Sequence, residues 1–307
     1  MLSFAIRRIR QTIPTVLAVV LVIFVLFSIV PGSIVTSMSD DSDPQVEERM
    51  KKQLGLDQPV YVRFGAYVGK LAMGDFGTSF RTREPVTSMI AKRIWPTLQL
   101  IFASMTFAIL IGVPLGFVAA LKPGSFADTI SMVVAVSGLS MAKFWLGLLL
   151  MYLFALKLGW LPSFGYGDGG LKYLILPAVT LGVSPMALLA RTTRAAVLEI
   201  MTADFVRTAR SKGMSETRVV KWHVMRNVLV IIITAIGLQF GALMGQAVVV
   251  EKLFSWPGIG SLLVDSVLQR DIPAVQGSIL VVVLFFLTLN VLVDLLYGVI
   301  DPRIRYA

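Results

Sequence analysis

The sequence predicts an all-α protein that crosses a membrane six times, and three observations predict it. The 307-residue chain is 56% hydrophobic with a mean hydropathy of +0.80, in the range of polytopic membrane proteins. Apolar runs close to the ~20 residues that a spanning helix needs recur along the chain. The Lys and Arg residues between them alternate in density, as they do where short cytoplasmic loops collect positive charge.

The runs follow in order. Ile13 to Val30 and Leu98 to Leu121 carry no charge, and residues 129–156 carry only Lys143. Tyr173 to Ala190, Asn227 to Val250 and Ile272 to Val293 are charge-free. Residues 1–30 are then a cytoplasmic start and first span, and 31–97 an extracytoplasmic segment. Residues 98–303 form a five-span core that holds a cytoplasmic hairpin at 198–227 and an outer loop at 251–271, and 304–307 are a tail. Arg7, Arg8 and Arg10 suit the start of a signal peptide. The run behind them exceeds the ~7–15 residues of a signal core and no small-x-small cleavage site follows, so a retained span is expected.

Charge orients the spans. With the N-terminus inside, the inner segments carry Arg7, Arg8, Arg10 and Lys122, a dense group from Arg191 to Arg226, and Arg303 and Arg305. The short outer loops carry only Lys157, Lys172, Lys252 and Arg270. Both termini are therefore expected in the cytoplasm. The net charge of +10 follows from this topology and calls for no nucleic acid. No Cys and a single His, His223, leave little room for zinc, haem or thiol chemistry. There is no phosphate-binding Gly-x-x-x-x-Gly-Lys-Ser/Thr loop. The nearest fragment, Gly69-Lys70, has Phe64 where the first Gly belongs and Leu71 after the Lys.

Residues 207–227, RTARSKGMSETRVVKWHVMRN, are the most ordered-looking polar stretch. Met201, Phe205 and Ala209 fall at i, i+4, i+8 on one helical face, with Thr208 beside it. Gly213 stands where a helix would end in a left-handed residue. Ser215 then caps a second helix through Val219, Val220 and Trp222. The residues alone leave two readings of this helical hairpin, a docking element and a linker.

The AxxxG spacing of Ala209 and Gly213, with Asp204 and Arg207 before it and Arg226-Asn227 after it, resembles the cytoplasmic signature loop of ABC-importer permeases. That loop begins Glu-Ala-Ala, with Gly four residues after the last Ala. Here Arg207, Thr208, Ala209 and Gly213 hold those positions, so the Glu is missing. DFVRTARSKG followed by HVMRN is similar to the dipeptide, oligopeptide, nickel and glutathione branch. So are QLGLDQPVYVRF (53–64), GDFGTSF (74–80), RIWPTLQL (93–100), FWLGLLL (144–150), LGWLPSFG (158–165) and LILPAVTLG (174–182). GLQFGALMGQAVVVEKLFSWPGIGSLLVDSVLQRD (237–271) and VDLLYGVIDPRIR (293–305) extend the resemblance over nearly the whole chain.

The resemblance implies a type I ABC-importer permease fold in a bacterial or archaeal inner membrane, working by alternating access. It implies a second homologous permease subunit, two cytoplasmic ATPase subunits and an extracytoplasmic substrate-binding protein. ATP and Mg2+ would sit on the ATPases, and this chain would bind no cofactor. The hairpin would dock in a groove of an ATPase through Asp204, Phe205, Arg207, Thr208, Ala209, Arg210, Gly213, Arg226 and Asn227. Thr208, Ala209 and Gly213 are expected to make the fit, and Arg207, Arg210 and Lys212 to face acidic groups on the ATPase. The substrate class stays open among dipeptides, oligopeptides, glutathione and nickel chelates.

Within the spans, Gly237, Gly241 and Gly245 form a small-residue stripe, as do Gly112 and Gly116. Such stripes serve packing within the chain or a seam with a second permease. Pro114, Pro177 and Pro185 are candidate kinks. Lys143 either snorkels from an over-long run or lines the pore and meets an anionic group such as a peptide carboxylate. Gln239, Gln246 and Glu251 are further path candidates, and Asp294 is expected to pair with Arg303 or Arg305 or to face interfacial water. On the outer side, residues 44–56 read as an amphipathic helix with Val46, Met50 and Leu54 on one stripe. GDFGTSF reads as a Gly-rich turn and the segment as a lid that meets the binding protein. SWPGIGSLLVDS (255–266) reads as a re-entrant or surface helix starting at Pro257-Gly258. The competing class is a stand-alone secondary transporter or channel. Such a carrier wants ionisable or broken-helix sites deep in its spans, and here Lys143 alone qualifies. A membrane enzyme lacks any Ser/His, paired-Asp or His-rich set in the spans.

Overall fold

A computed structural model describes residues 2–29, 58–167 and 169–300. The helices are α1 (Leu2–Ile29), α2 (Val60–Ala72), α3 (Val86–Leu121), α4 (Phe126–Ser140) and α5 (Lys143–Leu150), which widens into a π-helical turn at Met151–Lys157. They continue with α6 (Leu171–Met201), α7 (Asp204–Ser211) and α8 (Glu216–Arg218), a second π-helical stretch at Val219–Val224, then α9 (Met225–Leu253), α10 (Ile259–Leu268) and α11 (Ile272–Ile300). Among the described residues, five helical stretches are long and apolar enough to cross a membrane, and a sixth crossing is made if the bent pair α4–α5 counts as one. The amphipathic stripe expected at 44–56, the side chain of Asp294 and the tail residues Arg303 and Arg305 lie outside the described residues.

The third span departs from the sequence expectation. It is not one helix over 129–156 but two, broken at Met141-Ala142 and bent by 110°. Both linking residues are extended, at ψ 130° and 129°, and Lys143 opens the second helix. Three other spans run past their apolar cores. The second begins at Val86, with Pro96 inside it; the fourth continues to Met201; and the fifth is continuous from Glu216 to Leu253.

The chain divides into two compact units. One comprises Pro96–Pro257 with the end of α11, and the other Leu2–Trp95 with Gly258–Leu287. In the first, buried alanines sit among large buried side chains such as Leu100, Leu189 and Trp256, and much of the outer surface is apolar too. Ala108, Ala119, Ala187 and Ala190 are buried, while Leu110, Val118, Val133 and Val136 are exposed. This suits a bilayer, where helix contact rests on close packing because lipid is as apolar as Leu. α3 and α6 meet backbone to backbone. A Cβ on Gly112 would strike the Met186 carbonyl, one on Gly116 the Ala190 carbonyl, and one on Gly182 would lie 2.7 Å from the Ser104 carbonyl oxygen. The Gly112/Gly116 stripe thus packs within the chain. Gly237 and Gly241 are buried, whereas a Cβ on Gly245 would meet nothing within 4 Å.

In the second unit, Val20, Ile23 and Leu280 form a core with Phe64, Tyr67 and Phe76 around it. Phe24 meets Phe64 edge to face at 5.3 Å. GDFGTSF is the expected turn: Gly74 and Gly77 have positive φ, and Asp75 Oδ1 accepts the Gly77 N–H at 2.8 Å. Asp271, just before α11, accepts the Ser79 hydroxyl and the Phe80 N–H, which pins residues 79–80 beside it. α10 begins directly after Pro257-Gly258, as the sequence predicts.

Candidate coupling hairpin and path residues

The hairpin is built by a short stop and restart. α6 ends at Met201, where Thr202 Oγ1 donates to the Glu199 carbonyl at 2.8 Å. Ala203 turns extended and its carbonyl accepts the first N–H groups of α7, from Val206 and Arg207. Asp204 in that first turn suits the positive end of the helix dipole. α7 then closes on Gly213 at φ +75°. The Gly213 N–H reaches the Arg210 carbonyl at 2.9 Å and the Met214 N–H the Ala209 carbonyl at 3.3 Å, the paired bonds of a Schellman motif. Ser215 holds the start of α8 through its backbone carbonyl, with no side-chain cap.

One face of α7 is anchored. Val206 and Ala209 are buried in a cluster with Ala196, Val197, Val219, Val224 and Val228, and Met201 and Met214 pack on it. Arg210 forks onto Glu216 at 2.7 and 3.3 Å and so ties α7 to α8. The other face is open: Phe205 is 44% exposed, and Arg207, Thr208, Lys212 and Gly213 are exposed with it. A Cβ on Gly213 would meet nothing within 4 Å.

These facts correct three expectations. Met201, Phe205 and Ala209 do not share one helix face, because the chain breaks at 202–203 and the buried pair is Val206 and Ala209. Ala209 faces inward, so it seats the hairpin on its own spans and is not open to an outside fit. Arg210 already holds a carboxylate of its own chain. Arg207 lies 3.7 Å from Asp204 with both side chains exposed, a weak pair. Trp222 points outward at 67% exposure on a helix continuous with the fifth span. Arg226 and Asn227 open α9, and the Asn227 amide donates to the His223 carbonyl at 2.7 Å.

The path candidates separate. Lys143 Nζ donates to Gln246 Oε1, and both are half-buried. Gln239 is half-buried on α9. Glu251 is fully buried and accepts the Thr97 hydroxyl at 2.7 Å. Nearby, the Trp256 indole donates to the Pro96 carbonyl at 2.8 Å and Tyr166 to Gln99 at 2.7 Å, with the two rings edge to face.

Sequence reasoning missed one feature. Arg194, counted only as a topogenic charge, forks onto buried Asp128 at 2.6 and 2.8 Å. Asp128 also accepts the Gly124 N–H, while Ser125 caps α4. The pair ties α4 to α6 and borders a groove of about 490 Å3 lined by Met132, Val133 and Val136. The Ser125-x-x-Asp128 pattern just before an apolar run was the available signal. Among the described residues, no three His, Cys, Asp or Glu side chains gather to hold a metal ion.

The fold defines the class. The structure superposes on the inward-facing MetNI methionine ABC transporter with a TM-score of 0.59 at 18% identity, covering 69% of this chain and 96% of that one. It superposes on an amino acid ABC transporter crystallised with histidines with a TM-score of 0.56 at 17% identity, covering 69% and 94%. This is the type I ABC-importer permease fold. Residues 112–306 match the family described as "Binding-protein-dependent transport system inner membrane component", and residues 1–103 match its N-terminal component. The chain belongs to that family: it is a multi-pass inner-membrane permease subunit, a non-catalytic part of an ABC importer. Along its full length it is 45% identical to the glutathione transport system permease protein GsiC of Escherichia coli K12, covering 100% of both chains. It is 44% identical to GsiC of Salmonella choleraesuis, again over 307 residues. Family membership decides against the stand-alone carrier.

Proposed function

We propose that this chain is one of two homologous permease subunits importing glutathione or a similar small peptide, handed over by an extracytoplasmic binding protein and driven by two cytoplasmic ATPases. The observation that carries the coupling role is the two-faced hairpin. Val206 and Ala209 anchor α7 to the chain's own spans, while Phe205, Arg207, Thr208, Lys212 and Gly213 are exposed. A linker needs no such division. An exposed aromatic amid small and cationic residues suits a groove on a partner, where aromatic and Arg side chains dominate binding. Arg207 and Lys212 would steer an acidic ATPase rim more than they would hold it. The sign of the charge pattern puts this hairpin in the cytoplasm and the 74–85 turn outside. The full-length likeness to glutathione permeases supports the substrate class.

The test is co-purification. A tagged chain extracted gently from its native membrane should bring down ATPases and a second permease, and Gly213→Leu should lose the ATPases while still inserting. Wild-type chain recovered as a clean homo-oligomer, or a variant that keeps its ATPases and transports normally, would remove the docking role.

A further inference from the structure

Lys143 is a cation within a span, and its hydrogen-bond partner carries no charge. Its hydrogen bond goes to a neutral amide, Gln246. Among the described residues no carboxylate lies within ion-pair distance of it, whereas Arg194 and Arg210 each hold one. A cation between packed helices is costly unless something compensates it. Lys has three donors, and Gln246 Oε1 takes one of them.

The 110° break at Met141-Ala142 sets the surroundings. Beyond the break α5 packs on α6 and α9, with Gly147 against Leu253 and Thr180. Before it, α4 packs on α6. Gln239, Gln246 and Leu253 share one stripe of α9, each seven residues apart. α5 covers that stripe at Gln246 and Leu253. Two turns further from α5, Gln239 is half-buried. A cation and two amides thus lie along one line. Gln239 and Gln246 are separated by about 10 Å, at ~1.5 Å per residue, the length of three extended residues at ~3.3 Å each.

We propose that Lys143 receives the free carboxylate of a peptide-like substrate while Gln246 and Gln239 hydrogen-bond its amides. Gln246 holds the lysine in place until a carboxylate displaces it. Lys143 then selects for an acid end at the level of the permease, beyond whatever the binding protein selects. This rests on the peptide-importer reading above and names the charge and length of its cargo.

The test uses the whole complex in vesicles, with glutathione and its glycine ethyl ester as probes, which differ by one carboxylate. The wild type should favour the acid. Lys143→Gln should lower the acid-to-ester uptake ratio about tenfold, the effect of ~1.4 kcal/mol, and Lys143→Arg should keep it. Gln246→Glu places a carboxylate beside an intact lysine and should lower the ratio as well. Equal loss of both probes, an unaltered ratio in Lys143→Gln and Gln246→Glu, or a wild type that carries the two equally or carries neither would overturn the proposal. ATPase co-purification is scored on the same samples. Assembly without acid preference sinks this inference alone, and absence of ATPases in the wild type sinks the reading beneath it.

Discussion

Two glycines on small-residue stripes should respond to the same substitution with opposite sign. A Cβ on Gly116 would lie 2.8 Å from Thr193 Cβ and 2.9 Å from the Ala190 carbonyl carbon, and closer still to its oxygen. α3 and α6 must part by several tenths of an ångström to admit it. A gap of ~0.5–1 Å forfeits a quarter to a half of each dispersion contact, and overpacking costs roughly 1–3 kcal/mol. Helix propensity returns at most about 1 kcal/mol for Gly→Ala. Gly116→Ala should therefore destabilise the chain by about 1 kcal/mol. Gly245→Ala meets nothing within 4 Å, so only the propensity gain of up to about 1 kcal/mol remains. The assay is unfolding of the purified chain in detergent. Equal shifts, or shifts of the same sign, would refute the claim that α3 and α6 touch through bare backbone. A second readout decides what the fifth-span stripe is for. If Gly245 lies at a seam with the partner permease, Gly245→Ala should stabilise the chain and still reduce recovery of that partner.

Further outcomes follow from the same geometry. Gly213 sits at φ +75° in open space, so Gly213→Ala should cost about 1 kcal/mol in left-handed strain, while Asn tolerates that conformation. If the bare glycine is what a partner needs, Asn should lose ATPases in co-purification as Leu does; if only the turn matters, Asn should keep them. Phe205→Asp should abolish ATPase recovery and leave membrane insertion normal, scored by fractionation. Asp271→Ala removes the acceptor of the Ser79 hydroxyl and Phe80 N–H and should cost roughly 1–3 kcal/mol locally. Faster proteolysis within residues 78–85 would register it.

The spans, the Gly213 turn and the start of α10 were legible because each depends on local chemistry: apolar length, a left-handed terminus, a Pro-Gly start. The break in the third span was not. Its flanks, SGLSMAK, hold no Pro, and the apolar residues on both sides outweigh the two serines and Lys143, so hydropathy sees one span. What bends the chain is where α4 and α5 each find partners, which is tertiary. The same holds for Ala209. Its spacing to Gly213 marks the motif, but spacing cannot tell an inward Ala from an outward one. Here Val206 decides it, by sharing the buried face. Arg194 was absorbed into a charge count because its acid, Asp128, is 66 residues away. The hydrogen bond of Glu251 was hidden for the matching reason, since its hydroxyl donor, Thr97, lies on another helix.

The inward Ala209 bears on how force would travel through the proposed coupling. A hairpin gripped only by an outside partner could slide on its own spans. Here Val206 and Ala209 are interlocked with Val197 of the fourth span and with Val224 and Val228 at the root of the fifth. Arg210 clamps α7 to α8, and α8 runs unbroken into α9. A push on the open face at Phe205 therefore reaches two spans through packed side chains, which deform little. The least regular link is the π-helical stretch Val219–Val224, and wider turns of this kind often mark functional positions. Its buried residues, Val219 and Val224, face the anchored cluster, while Trp222 stands outside. Shortening either valine should uncouple ATP hydrolysis from uptake before it loosens ATPase binding, whereas loss at Phe205 should do the reverse. Val224→Ala tests this directly: unaltered ATPase recovery with fewer substrates moved per ATP would place transmission in the anchored face, and a parallel fall in both would place it at the docking face alone.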